Sequence, residues 1–329
     1  MRRIVGLVLV GLGMFLLVLA PLARFYAYPK LAVAPYDQNT LTVLNGPGAT
    51  VFDIASLSEI RTDLTTTAKT VGDLKASEDA PDGVTVWVNT SSTKDSKGVV
   101  RSRSIDRAAF DQNSGEAVNC CGEFYETVEG EQQPVRHEGL VFKFPFNTQK
   151  QTYQWWDTSL LKAVPIKFER VEDVNNVTTY KFVQTIEPTV TGTAKVPPAL
   201  VGAKGSKPVK VERVYANERA LWVEPRTGVV FDRVESQRST LRYQGKDVIT
   251  TTAVDTSYSD ATIRSRIDKY EPLGNELNLV RNTVPLIALI AGLLLVVIGA
   301  ALALTGRGRH VDDSGGGPRQ DEPAPAGVA

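Results

Sequence analysis

The run VPLIALIAGLLLVVIGAALAL, residues 284–304, decides the architecture of this chain. Its counterpart near the start is IVGLVLVGLGMFLLVLAPLA, residues 4–23. Each run is about 20 residues long and has no charged side chain. As a helix it reaches ~30 Å, the thickness of the hydrocarbon core of a bilayer. The sequence therefore predicts two transmembrane helices, one on each side of a large central segment.

The charges beside these runs predict how the chain crosses the membrane. Arg2 and Arg3 precede the first run, and Arg307 and Arg309 follow the second. Because short basic flanks stay on the cytoplasmic side, both termini are expected in the cytoplasm and residues 24–283 outside it. This predicts a two-pass protein of the plasma membrane, with spans at 1–23 and 284–304, an extracytoplasmic domain and a disordered cytoplasmic tail at 305–329.

A cleavable signal peptide is the alternative interpretation of the first run, since two arginines followed by an apolar stretch fit its pattern. The apolar stretch is longer than the ~7–15 residues usual for such a peptide. A cleavage site after Ala20 would also leave Pro21 as the first residue. An uncut signal anchor is therefore the prediction.

Composition sets the class of the central segment. The chain has 329 residues, 42% of them apolar, and a formal net charge of +0. That is enough apolar material for a sizeable core, and a neutral balance gives no reason to expect a nucleic-acid partner.

Short segments rich in threonine, valine and aromatic residues fill the central segment, and many alternate apolar with polar residues. Such alternation indicates β-strands, and Gly, Pro, Asn and Asp separate the segments as turn residues do. The fold class predicted is a mainly β ectodomain, with antiparallel sheets or a barrel-like form, between two terminal transmembrane helices. The segments are 84–88, 140–144, 163–168, 178–183, 209–215, 228–231 and 247–252.

Two turns and one helix stand out within this pattern. Residues 110–115 and 223–228 share an apolar residue, an acid, two polar or proline residues, a hydroxyl residue and a glycine. This spacing suits a hairpin whose glycine has positive φ. A helix is predicted to begin at Ser259 and Asp260 and to end near Pro272, followed by a second amphipathic turn at 273–280.

Aromatic residues are densest at 139–146 and 153–157. As strands, these stretches would place Leu140, Phe142, Phe144 and Phe146 on one face, and Tyr153 and Trp155 on a face opposite Trp156. Two interpretations remain open, core packing and the wall of a site for a lipophilic ligand. The candidate ligand-binding residues are Phe142, Phe144, Phe146, Tyr153, Trp155 and Trp156.

Cys120 and Cys121 are the only cysteines and are adjacent. Neighbouring Cα atoms lie ~3.8 Å apart, below the usual range for disulfides, whereas extracytoplasmic placement favours oxidation. A disulfide between them, two buried free thiols, and an intermolecular bond or reactive thiol therefore all remain possible.

Catalytic and metal-binding patterns are absent from the sequence. His137 and His310 are the only histidines, and no His-Glu-X-X-His or cysteine-histidine cluster occurs. A catalytic pair of carboxylates remains open, since Asp and Glu are plentiful and the sequence does not show their separation. Otherwise the sequence predicts no enzyme, no cofactor and no metal site.

Residues 139–146 and 153–157, with Cys120-Cys121 upstream and 222–228 downstream, resemble an actinobacterial family of unknown function that carries the label porin PorA. The resemblance covers nearly the whole chain and implies a cell-envelope protein without a settled activity. A channel would need a closed barrel with an apolar band ~25 Å tall or a bundle of helices. Two helices supply neither, and the predicted strands carry too many charges for such a band.

The function predicted is binding or conveying a hydrophobic, lipid-like envelope component, with membrane lipids, envelope proteins or a lipophilic ligand as partners. The plan is similar to that of the scavenger-receptor class, whose β-rich ectodomain conveys lipids. The alternatives are an envelope interaction protein without a small ligand and a porin-like channel component. A continuous apolar cavity behind Phe142, Phe144 and Trp155 would favour ligand binding, whereas close packing there would favour the interaction protein.

Overall fold

A computed structural model describes residues 1–127 and 130–305 of the chain. The predicted cytoplasmic tail therefore lies outside the described residues, apart from Thr305. The chain divides into two compact units. One consists of its two apolar ends, Met1–Leu22 and the part from Val284 onward, and the other is Ala23–Thr283.

The unit of the apolar ends is a pair of helices, α1 (Arg2–Leu22) and α5 (Val284–Thr305). The apolar helical segments that contain them are long and apolar enough to cross a membrane, which confirms that part of the predicted fold class. The helices run antiparallel, because Gly6 lies beside Gly299 and Gly13 lies beside Gly292.

A stripe of small residues forms the contact between these helices. A β-carbon added at Gly13 would lie 2.7 Å from the carbonyl oxygen of Gly292, and one at Gly6 would lie 2.6 Å from that of Gly299. Small residues allow this backbone approach, which supplies the van der Waals contact that holds helices together in lipid. Buried positions recur every seven residues, at Gly6, Gly13 and Ala20 on α1 and at Pro285, Gly292 and Gly299 on α5.

The central unit contains only short helical elements and one long helix. They are α2 (Tyr28–Leu31), α3 (Leu74–Glu78), α4 (Asp260–Asn278), a 3-10 turn at Pro198–Val201, and wide helical turns at Ala23–Ala27 and Leu279–Thr283.

Helix α4 begins as predicted but does not end near Pro272. The Ser259 hydroxyl accepts a hydrogen bond from the Thr262 amide at 3.2 Å, as an N-terminal cap does. The helix continues to Asn278, because Tyr270 and Leu277 are buried on both sides of the proline. Packing outweighs the one hydrogen bond that Pro272 cannot donate.

Twelve antiparallel strands form one sheet within the described residues, in the order β6-β5-β4-β3-β2-β1-β12-β11-β10-β9-β8-β7. Their bounds are β1 (Asn39–Asp53), β2 (Ser58–Gly72), β3 (Val84–Asp95), β4 (Val100–Asp111), β5 (Phe124–Glu126), β6 (Gln132–Pro134), β7 (Tyr153–Asp157), β8 (Lys162–Val174), β9 (Val177–Val196), β10 (Val209–Glu224), β11 (Val229–Tyr243) and β12 (Lys246–Tyr258). This confirms the predicted β-rich, antiparallel fold.

Single-residue bridges join the two sides of the sheet into a barrel-like ring. Phe110 of β4 bridges to Ala117, Glu116 bridges to Leu140, and Leu140 bridges to Trp155 of β7. Consistent with closure, one core cluster contains residues of β1 and of β7 to β12 together. The sheet therefore encloses its apolar core.

The wall that strand β2 contributes to the ring is polar. Every second residue of β2 is exposed and none of these side chains is apolar, whereas Leu64 between them is buried. A strand in contact with lipid would show apolar side chains at these positions. The wall formed by β2 therefore faces water. The exposed residues are Glu59, Arg61, Asp63, Thr65, Thr67 and Lys69.

Candidate functional site

The aromatic segment 139–146 is irregular, so the prediction that it forms a strand with four residues on one face is wrong. Phe142 has a φ of 61°, which breaks the alternation. Leu140 and Phe144 belong to the core cluster within the ring, whereas Val141 and Phe142 pack in a second cluster. Strand β7 does alternate as predicted, with Tyr153 and Trp155 in the first cluster and Trp156 in the second.

Close packing surrounds the rings at the centre of this segment. Phe144 is 0% exposed and contacts Trp155, Tyr153 and Phe182 at centroid distances of 5.0, 5.4 and 4.7 Å. Phe142 lies 5.9 Å from Phe110 and 6.0 Å from Trp87. These aromatic residues pack the core, which is the first of the two interpretations of the sequence. By the criterion given above, this packing argues against a ligand cavity behind Phe142, Phe144 and Trp155, so a ligand site has to be sought at the surface. Phe146, only partly buried, remains next to the surface.

The two similar turns of the sequence hold the aromatic segment between them. Gly115 and Gly228 have φ values of 78° and 73°, as predicted for both turns. Gly115 accepts a hydrogen bond from the Val141 amide at 3.0 Å, and Gly228 accepts one from the Phe144 amide at 2.9 Å. A β-carbon at Gly228 would overlap the carbonyl oxygen of Phe144. At position 228, glycine is therefore needed both for the positive φ of the turn and for the close approach of its backbone to that of Phe144.

Lys143 is part of the aromatic segment, and its ammonium group is buried. Its side chain is 4% exposed, and its Nζ lies 3.9 Å from the centroid of the Phe146 ring. No hydrogen-bond partner for this nitrogen is found among the described residues. Burial lowers the pKa of Lys143 to about 7, against the opposing effect of Asp111.

A buried ionic network crosses the inside of the ring. Arg219 of β10 donates to Gln184 at 2.7 Å and to Asp157 at 3.1 Å, and it also contacts Glu235 of β11. All four side chains are less than one-tenth exposed. Burial tends to raise the pKa of Glu235, but Arg219 and then Arg233 hold it below its usual value. The network therefore keeps its charges in the low-dielectric interior.

Cys120 and Cys121 form a disulfide in this structure. The Glu123 carboxylate accepts hydrogen bonds from both of their backbone amides, at 3.1 and 3.0 Å. Arg107 donates to the Cys121 and Gly122 carbonyl oxygens and pairs with Asp73. Although Glu123 and the two sulfurs lie close enough to share an ion, disulfide sulfurs offer no thiolate to a metal.

His137 is fully buried and paired with a carboxylate. Its Nε2 lies 2.7 Å from Asp106, and its ring centroid lies 4.6 Å from that of Trp156. A catalytic Ser-His-Asp triad would require a serine hydroxyl bonded to a histidine. Within residues 1–127 and 130–305, no serine hydroxyl is found among the hydrogen-bond partners of His137.

An apolar groove of about 760 Å³ opens beside the segment that follows the first span in sequence. The segment is fixed by side chains of the turn after β4, because Asn113 donates to the Ala32 carbonyl at 2.6 Å and Gln112 to the Ala34 carbonyl at 2.7 Å. The groove is therefore preformed. Its lining includes Pro29, Lys30, Val33, Pro35, Tyr36 and Asn113.

A second groove of about 590 Å³ has a different lining, rich in amide side chains and cations. It contains Asn147, Gln149, Lys150, Tyr180, Arg226 and Asn278 among others. Phe146 lies between the two grooves, since its amide donates to Asn113 of the first at 3.0 Å and its neighbour Asn147 lines the second. Phe146 itself lines neither groove, but among the aromatic candidates it is bonded to a residue of the first and is the chain neighbour of a residue of the second.

A family model described as Porin PorA matches residues 5–301 of this sequence. The chain belongs to the Porin PorA family. This confirms the resemblance, and together with the two apolar helices it identifies a membrane protein.

Two relatives of the family in Corynebacterium are each called Porin PorA. The protein of Corynebacterium resistens is 23% identical over 53% of this chain and 58% of its own length. That of Corynebacterium amycolatum is 23% identical over 71% of this chain and 77% of its own length. The chain therefore covers less than two thirds of the Corynebacterium resistens relative.

Proposed function

We propose that this member of the Porin PorA family is a two-pass protein whose central domain lies outside the cytoplasm and binds a membrane lipid. The pair of grooves on either side of Phe146 carries the proposal. One groove offers apolar surface for an acyl chain, and the other offers hydrogen-bond donors and cations for a polar headgroup.

The apolar groove suits a lipid chain in size, lining and position. Its volume of about 760 Å³ lies within the range of small-molecule sites, and Val33, Pro35 and Tyr36 provide apolar surface. The groove also contains one cation and one carboxylate, Lys30 and Asp37, so its charged part suits a polar headgroup of either sign. The lining residues begin at Pro29, only a few positions after the first span in sequence.

The polar groove suits a headgroup that carries phosphate or sugar hydroxyls. Lys150 supplies positive charge, whereas Arg226 is already paired with the buried Glu224 at 2.5 Å. Asn147, Gln149 and Asn278 supply amide donors and acceptors. Lys150 Nζ lies 5.1 Å from the centroid of the Tyr180 ring, which places a cation and an aromatic face together. Asn278 and Asn282 stand shortly before the second span in sequence.

Val33→Asp is expected to reduce the lipid that co-purifies with the full-length protein by about tenfold, because a carboxylate in the groove opposes an acyl chain. Lys150→Glu is expected to deplete anionic lipids selectively. Native mass spectrometry of protein extracted in mild detergent, followed by lipid extraction, measures both effects.

Lys167→Glu is the matched control, since Lys167 is an exposed lysine of β8 outside both grooves. It should retain lipid as the parent does. Equal lipid content in Val33→Asp, Lys150→Glu and this control, or a parent protein without lipid, would refute lipid binding at the grooves.

A channel is the second candidate, and it is supported by the name Porin PorA of both relatives. The polar wall formed by β2 does not fit lipid, and the backbone contact of Gly13 with Gly292 leaves no pore between α1 and α5. A channel would therefore need several copies that assemble through their helices.

We expect the purified protein to give no conductance steps when a planar bilayer contains only one copy of it. If copies are concentrated in the same bilayer, a channel of several copies would give steps whose frequency rises more steeply than linearly with protein density. Steps at single-copy density would overturn our interpretation and make one chain the conducting unit.

A further inference from the structure

Four exposed apolar side chains gather at the tips of two hairpins of the central unit. Ile54 and Leu57 lie in the turn between β1 and β2 and are 80% and 52% exposed. Val99 and Val100 lie where β3 turns into β4, and each is 48% exposed. A cluster of this kind on a water-facing domain indicates an interaction surface.

The two tips form one fixed surface because Arg101 joins them. Its guanidinium group pairs with Asp53 of the first hairpin at 2.8 Å and with Asp95 of the second at 2.6 Å. The hydroxyls of Thr62 and Ser96 add a contact at 3.0 Å. The apolar side chains are therefore presented together.

Exposed lysines flank this surface, and the exposed carboxylate of Glu59 lies beside the first tip. Lys94 and Lys97 of the second hairpin are exposed, and in the described part of the chain neither forms an ion pair, whereas Asp53 and Asp95 are held by Arg101. Phe52, next to the first tip, packs in one cluster with Leu200 of the loop between β9 and β10. That loop adds the exposed residues Lys204 and Lys207 at the same end of the sheet.

This end of the sheet is the one farthest along the strands from the connections to both spans. β1 begins at Asn39 on the side that continues from the first span, and β12 ends at Tyr258 on the side that continues to the second. Strand β1 has 15 residues and so extends about 50 Å to its tip.

We propose that the hairpin tips with Ile54, Leu57, Val99 and Val100 insert shallowly into an anionic lipid surface. Apolar side chains enter the interface while the lysines contact the headgroups, a combination that binds negatively charged bilayers. This inference is independent of the grooves and would stand without them.

A flotation experiment tests the proposal with the full-length protein held in nanodiscs of neutral lipid. Added vesicles of phosphatidylglycerol and phosphatidylcholine are expected to carry the nanodiscs upward in a density gradient. Vesicles of phosphatidylcholine alone should carry much less. The double variant Ile54→Ser/Leu57→Asn is expected to lose about tenfold or more of the bound fraction, since two apolar anchors are removed.

Leu161→Asn is the matched control. Leu57 and Leu161 both have a φ of 50° in a hairpin turn, and asparagine tolerates that backbone conformation, so the two changes are alike in local structure. The control should float as the parent does, and tryptophan fluorescence should show all variants folded. Flotation of the double variant at the level of the control, or no flotation of the parent with anionic vesicles, would overturn the proposal.

Discussion

Replacing Gly13 with valine is expected to destabilise the helix pair by about 2–3 kcal/mol, as overpacking of a close contact does. A β-carbon at Gly13 would lie 2.7 Å from the carbonyl oxygen of Gly292 and 2.8 Å from the backbone amide nitrogen of Val296. The Val296 Cγ2 methyl, also at 2.7 Å, could move, but these two backbone atoms of α5 cannot rotate away. The helices must separate, and the packing along the stripe of small residues is lost.

Gly11→Val supplies the matched control for this change. Gly11 lies on the same helix, and a β-carbon there would have nothing within 4 Å. The two variants share hydrophobicity and helix propensity and differ only in whether α5 faces them. The measurement is the temperature at which monodisperse protein is lost in detergent, with limited proteolysis of the spans as a local readout. Equal stability of the two variants would show that the contact of α1 with α5 contributes nothing.

Arg219→Met is expected to destabilise the central unit by about 3–5 kcal/mol, the usual cost when one partner of a buried ion pair is removed. Glu235 keeps Arg233, which pairs with it at 2.6 Å. Asp157, 1% exposed, keeps hydrogen bonds from the Tyr215 hydroxyl at 3.3 Å and from the Ser159 and Leu160 amides at 3.0 Å, but has no cation among the contacts described. The remaining buried charge, rather than the lost packing, dominates the effect.

The loss of unfolding free energy in Arg219→Met should depend on pH. The direction of that dependence tests whether the loss comes from buried carboxylates that have lost a cation. In the parent protein the pKa of Glu235 is lowered, so its contribution to stability is present above the unfolded pKa and is lost as pH falls through the folded one. In the variant, Glu235 loses Arg219, the larger of the two charges that lower its pKa, so less of this contribution remains to be lost as pH falls. The difference in unfolding free energy is therefore largest at neutral pH and smaller in acid.

Denaturant unfolding of the full-length protein, followed by tryptophan fluorescence, measures this difference, since all four tryptophans lie in the central unit. Arg242→Met is the control, because Arg242 pairs with Asp247 at the surface and should leave the midpoint nearly unchanged. A deficit that does not vary with pH would argue against an unpaired buried carboxylate.

The spans and most strands could be predicted because their signals are local. Hydrophobic length identifies α1 and α5, and alternation identifies strands such as β10. The same alternation could also have predicted the buried ionic network. Arg219 lies on the same face of β10 as Tyr215 and Leu221, which are both buried. A charged residue on the apolar face of a strand predicts a buried partner.

The aromatic segment and the grooves could not be predicted, because both depend on contacts distant in sequence. Leu140, Phe142 and Phe144 alternate as a strand does, yet hydrogen bonds to Gly115 and Gly228 fix the segment in an irregular form. The apolar groove requires the segment beginning at Pro29 to meet Asn113, and periodicity within either stretch carries no information about that meeting.

The seam between β1 and β12 constrains how the protein can acquire its fold. Leu44 of β1 pairs with Tyr258 of β12, so the first and last strands of the domain are neighbours. Contact between such distant parts of the chain makes folding slow. The ring cannot close until the last strand has been synthesised, and until then β1 presents an unpaired edge that invites aggregation. Biogenesis of this protein should therefore depend on a factor that shields the nascent domain.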